Sequence, residues 1–155
     1  MNARPLSLDF GAAPSGPAPS VLMVSKDAGF SEVMRARLPD AAGAIRRVES
    51  CKEALACAED GSIRLVIVDD TLADVPPDHL VRLLRALRQD VPIVFLTWAP
   101  TPLQERDARR SGAVLYGPKG DWDLLRNALR HFVSDPRTHG PGGPTRSAAP
   151  DKEGA

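Results

Sequence analysis

The chain has little that would tie it to an oxidising compartment, a membrane or a polyanion. Its only two cysteines, Cys51 and Cys57, stand six apart on different faces of an expected helix. They form no local bridge, and nothing points to a disulfide scaffold. No run approaches the roughly 20 apolar residues of a membrane span. Residues 1–20 lack a continuous apolar core and are broken by Pro5, Pro14, Pro17 and Pro19, so no signal peptide is expected. An excess of one charge is also missing, because Lys plus Arg and Asp plus Glu are 20 each. That balance gives no electrostatic reason for nucleic acid or an anionic membrane as the main partner. His79, His131 and His139 are scattered without the spacing of zinc ligands. After the first apolar run, Ser25-Lys26-Asp27-Ala28-Gly29 offers one glycine, too few for a phosphate-cradling loop. No acid–base pair or nucleophile–base constellation stands elsewhere. A flavodoxin-like enzyme or nucleotide binder is therefore the least supported class, and a cytoplasmic binding protein is the expectation.

What is present is a regular alternation of apolar runs and helical patterns between two tails. Residues 1–19 and 135–155 are rich in Pro, Gly, Ala and Ser and are expected to be disordered. In the domain at 20–134, Val21 to Val24, Ala44 to Glu49, Ile63 to Val68, Ile93 to Leu96 and Ala113 to Tyr116 read as strands. Helices are expected at about 28–38, 51–60, 78–88, 102–111 and 121–134. Their inward residues are read as Phe30, Val33, Met34 and Leu38; Ala54, Leu55 and Ala58; Leu80, Leu83, Leu84 and Leu87; and Trp122, Leu125, Leu129 and Phe132. Asp78 and Asp121 are the expected N-caps of the third and fifth helices. Five strands alternating with five helices imply an α/β fold with a parallel sheet covered on both faces. Right-handed crossovers narrow this to a doubly wound, flavodoxin-like sheet of order 2-1-3-4-5. The roughly 115 residues between the tails suffice for one core.

In such a sheet, ligands bind at the carboxyl edge. The residues that converge there are Ser25-Lys26-Asp27, Asp69-Asp70, Thr97-Trp98 and Gly117-Pro118-Lys119. A carboxylate, a hydroxyl and an ammonium at one edge make a candidate phosphoryl site. The carboxylate would accept, and the other two would each hold a phosphoryl oxygen.

Leu65-Val66-Ile67-Val68-Asp69, Pro92-Ile93-Val94-Phe95-Leu96-Thr97 and Gly112-Ala113-Val114-Leu115-Tyr116 followed by Lys119 carry a resemblance. The segment from Val21 to about Val133 resembles a response-regulator receiver domain of bacterial two-component signalling. The resemblance implies Asp69 as phospho-acceptor, Thr97 as switch hydroxyl, Lys119 as phosphate-binding lysine and Tyr116 as the aromatic switch residue. It also implies a sensor histidine kinase or a downstream signalling protein as partner. The usual dimer face of the family is made by the fourth helix, fifth strand and fifth helix.

The chain departs from that pattern at several points. The family carries two acidic residues after the first strand, which help hold magnesium, and here those positions are Ser25 and Lys26. Mg²⁺ needs anionic oxygen ligands and neutralises charge during phosphoryl transfer. Asp69 and, weakly, Asp27 remain as metal-ligand candidates, with helix capping the other reading of Asp27. Lys26 is either a surface lysine or an internal counter-ion for Asp69. Trp98 replaces a small residue beside the switch hydroxyl and either covers Asp69 or points away. Gly120 replaces the proline after the lysine, and the turn at 72–77 lacks the usual glycine. Asp70 reads as solvent-exposed or as a loop hydrogen-bonder. Thr97 has a plain strand-forming reading, and Tyr116 one of packing under the last helix. Arg106, Arg109 and Arg110 are either a solvated face or part of a partner surface with Glu105, Asp107 and Arg126.

The resulting expectation is a stand-alone atypical receiver, a pseudo-receiver without the acidic pair. It is not an enzyme, needs no cofactor and signals by protein–protein interaction. Lys26 and Trp98 are expected to occupy the site in place of Mg²⁺-dependent phosphorylation. The alternative is a conventional receiver phosphorylated on Asp69 by a histidine kinase, for which Mg²⁺ would be required.

Overall fold

The computed structural model describes residues 20–72 and 74–134. The expectations for the two tails lie outside these residues. The elements run β1 (Val21–Val24), α1 (Ala28–Arg37), a 3-10 turn (Pro39–Ala44), β2 (Ile45–Val48), α2 (Cys51–Ala58), β3 (Leu65–Asp69) and α3 (Pro77–Leu87). They continue with β4 (Ile93–Thr97), α4 (Pro102–Ser111), β5 (Leu115–Pro118), α5 (Trp122–Leu129) and a π-helical turn at Arg130–Ser134. All five strands are parallel, in the order β2-β1-β3-β4-β5. The doubly wound fold expected from the alternation is therefore the fold observed.

Side-chain alternation along each strand builds two cores from one sheet. Leu22, Val24, Val66, Val68 and Phe95 pack with α2, α3 and Ala108 of α4 on one face. Val21, Met23, Leu65, Ile67 and Leu96 pack with α1 and α5 on the other. The central strands β1, β3 and β4 are buried throughout, which explains why they are apolar up to the polar residue that ends β3, Asp69, and β4, Thr97. Each such side chain contributes about 1.5–3 kcal/mol on burial.

Helix starts are set by short polar side chains. Asp27 accepts from the Phe30 amide, Ser50 from Glu53, Thr101 from Gln104 and Asp121 from Leu124. The caps at Asp121 and Asp27 were both expected. The expected cap at Asp78 is not what forms. Pro76 is the N-cap of α3 and makes no side-chain bond, which leaves Asp78 inside the first turn. Proline at the first helical position is pre-set for helix and needs no amide partner, so the Pro76-Pro77 pair moves the cap two residues earlier. α4 stops at Gly112, whose φ of 122° is open to glycine.

Three residues read as inward are on the surface. Val33, Leu83 and Leu87 are each more than a third exposed. In α3 the buried stripe is Leu80, Val81 and Leu84. Leu83 and Leu87 lie on the shoulder facing Leu55 and Ala56 of α2. The third strand also starts later than expected, at Leu65, and runs through Asp69 itself.

Candidate functional site

Register and alternation decide which side chains meet at the carboxyl edge. Val24 pairs with Val68, so Ser25 follows β1 beside Asp69 on β3. Both continue the alternation on the α1–α5 side, after Met23 and Ile67. Thr97 and Asp70 fall on the opposite side, after Phe95 and Val68. The amide of Lys119 donates to the Thr97 carbonyl at 2.9 Å, which extends the ladder beyond β5 and carries the lysine into the edge.

Asp69 and Lys119 are both fully buried. The Lys119 Nζ lies 2.8 Å from Asp69 Oδ2 and 3.1 Å from Asp27 Oδ2. The Ser25 hydroxyl donates to Asp69 Oδ2 at 2.5 Å. Thr71 supplies the other oxygen, with its amide 3.0 Å and its hydroxyl 2.6 Å from Asp69 Oδ1. The Asp69 carboxylate thus receives four donors, two on each oxygen. An ionised carboxylate offers about four lone-pair positions, so its acceptor capacity is filled from within the chain.

A cation-π shell closes the outer side. Lys119 Nζ lies 5.0 Å from the Phe30 ring centroid and 5.3 Å from that of Trp98. The two rings meet edge to face at 5.8 Å. Trp98 is 62% exposed and donates its indole N–H to Asp27 Oδ2 at 3.4 Å. It stands at the rim over the Asp27–Lys119 pair and gives its N–H to Asp27, not to Asp69. The expected pairing of Lys26 with Asp69 does not form. Lys26 is exposed, and only its backbone amide joins the site, donating to the Thr71 hydroxyl at 2.7 Å. The reason is positional. Lys26 sits one residue past Ser25 and so faces away, while Lys119 reaches Asp69 from the strand end.

Thr97 is buried, but its hydroxyl donates to Asp70 Oδ2 at 2.6 Å rather than to Asp69. Asp70 is thus a loop hydrogen-bonder. Tyr116 stacks on Phe95 with centroids 5.7 Å apart. Its hydroxyl accepts from the Thr101 amide and donates to Gln104 Oε1 at 2.7 Å. Tyr116 therefore packs under α4, not under the last helix. Thr71 and Asp74 were missed from the sequence. Thr71 closes an Asx-type turn two residues after Asp69, a spacing that was visible in the chain. Asp74 reaches across to accept from the Cys51 amide at 2.9 Å at the start of α2, and no local signal announces that contact.

Asp27 is held below its ordinary value of 3.8, first by the Phe30 amide and then by Lys119 and the Trp98 N–H, against the opposing effect of burial. A lowered folded-state value means that the stabilisation is present above the ordinary value and is lost as the pH falls through the lower one. Asp27→Ala is expected to cost about 1–2 kcal/mol near neutral pH, the loss of a cap and a counter-ion. In urea titrations, the gap to the parent should close as the pH drops below 3.8. A gap that stays constant or widens there contradicts this role.

The donor set does not fit Mg²⁺. A hard cation takes several free oxygens, carboxylates above all. Among the described residues, no group of three or more His, Cys, Asp or Glu side chains could hold a metal ion. The oxygens of Asp69 are taken by four donors, and Asp27 faces an ammonium.

No family model matches the chain, and no curated protein matches its sequence. The fold, however, is that of response-regulator receiver domains. The Vibrio cholerae chemotaxis protein CheY4 superposes with a TM-score of 0.64 at 21% identity, over 76% of this chain and 100% of that one. A Clostridium difficile two-component response regulator gives 0.66 at 19%, over 76% and 97%. A Burkholderia pseudomallei response regulator with a phosphorylated aspartic acid and a calcium ion gives 0.63 at 23%, over 72% and 66%.

Proposed function

We propose that this chain is an atypical receiver that signals by docking to another protein, with its acceptor carboxylate closed by its own side chains. The observation that carries this reading is the complete set of four donors on Asp69. Lys119 supplies the positive charge where a receiver with the acidic pair would hold a metal. Ser25 turns a lost ligand position into a donor, and Trp98 caps the pair at the rim. The domain performs no turnover of its own and acts in the cytoplasm. Its partner is a histidine kinase or a downstream signalling protein. A second copy would meet the α4–β5–α5 face, where Val114 is exposed just before β5.

A second reading is conventional phosphorylation of Asp69. It is favoured by the convergence of Asp69 and Lys119 at 2.8 Å, with Thr97 buried nearby. Incubation with Mg²⁺ and acetyl phosphate, followed by intact-protein mass measurement, separates the two. The leading reading expects no phosphoryl adduct. An adduct that disappears in Asp69→Asn establishes the second.

A further inference from the structure

At the amino edge of the sheet, at the far end from Asp69, a groove of about 230 Å³ opens between the end of α1, the 3-10 turn and the end of α5. Its place is fixed by Ala44, which lines it and whose carbonyl accepts from the Ser20 amide at the start of β1. Leu38, Leu129 and Val133 make an aliphatic floor. Arg37, Arg126 and Arg130 stand on its walls, and no acidic side chain is among the lining residues whose side chains the structure describes. Arg126 is held by Asp123 at 2.7 Å, and Arg37 lies 5.5 Å from the Trp122 ring centroid. Arg130 is exposed, with no salt bridge among those formed by the described residues.

We propose that this groove docks an acidic segment of a partner protein, one that seats an aliphatic side chain on the floor and sets carboxylates against the arginines. Charge complementarity selects the occupant. Guanidinium groups bind carboxylates bidentately and are enriched at interface cores. The floor is aliphatic, so it offers none of the stacking platforms that single-stranded nucleic acids use. The concave shape excludes a flat bilayer surface. The groove is connected to the other end of the molecule by a chain of ring contacts. Trp122 stacks on Phe30 at 5.6 Å, and Phe30 contacts Trp98 and Lys119.

That stack provides the readout. Trp98 and Trp122 are the only tryptophans, so in the full chain with Trp98→Phe the emission comes from Trp122 alone, beside Arg37. The probe is a synthetic glutamate–leucine peptide without tryptophan. It is expected to change Trp122 emission saturably, less so as salt is raised. A lysine–leucine peptide should have no effect. Arg130→Glu should weaken the glutamate–leucine peptide about threefold, and Arg37→Glu with Arg130→Glu about tenfold or more. Both side chains are exposed, and melting of the variants near the parent temperature confirms that the fold is kept. Absence of saturable binding overturns the proposal, whether the groove is unsuited or is covered by residues 1–19 or 135–155. So does binding that the arginine variants leave unchanged, or equal binding of the lysine–leucine peptide.

Discussion

Lys119→Met is expected to remove about 3–5 kcal/mol of stability, a large share of the ~5–15 kcal/mol that holds a domain of this size. The lysine is fully buried between Asp69 and Asp27, at 2.8 and 3.1 Å. Methionine fills much of the same space, so packing alone predicts a small loss. The cost comes from leaving the Asp69 carboxylate buried with hydroxyl and amide donors but no counter-charge. The melting temperature should fall by more than about 10 °C. Adding Asp69→Asn should recover part of the loss, because the neutral pair no longer buries a lone charge. A double-mutant cycle read by urea denaturation measures that coupling. A loss below about 1 kcal/mol, or no recovery in the double variant, means that the ion pair does not hold the edge together.

Restoring the acidic pair should produce the second large effect, a gain of metal response. Ser25 Oγ lies 2.5 Å from Asp69 Oδ2, so Ser25→Asp replaces a donor with a like charge at that contact. Together with Lys26→Asp, it should lower the melting temperature in metal-free buffer. Mg²⁺ then has free anionic oxygens, and saturating metal should return stability. At a concentration about 100 times the dissociation constant, the gain is about 2.7 kcal/mol. The unaltered chain should show no such gain. A parent that is stabilised as much as the variant, or a variant indifferent to Mg²⁺, contradicts the account of Asp69 as closed by donors.

The fold was legible because local and global signals agree. Runs such as Val21 to Val24 and Ile93 to Leu96 are apolar on both faces, as strands covered on both sides must be. Asp121 and Gly112 end or begin helices as their chemistry demands. The two misread residues of α3, Leu83 and Leu87, share one cause. In α3, Leu80 and Leu84 belong to two overlapping stripes, one completed by Leu83 and Leu87 and the other by Val81. Only packing against the sheet chooses between them. At the site, the residues after each strand were found by position, but the partners were not. Lys26 and Lys119 are both cations near Asp69 in sequence logic, and the strand parity that turns Lys26 outward acts only after pairing. Ser25 reads as a missing acid until Asp69 stands beside it, when it becomes a donor. Thr97 reads as a switch hydroxyl until Asp70 accepts its hydrogen bond at 2.6 Å.

The central claim is that Asp69 is satisfied within the chain, and the most direct test is a titration at its rim. With Trp122→Phe, Trp98 is the only tryptophan and sits over the Asp27–Lys119 pair. Its emission should not change saturably with Mg²⁺ alone or with Mg²⁺ and beryllofluoride. A saturable Mg²⁺-dependent change that is abolished by Asp69→Asn would show an open phosphoryl site and contradict the claim.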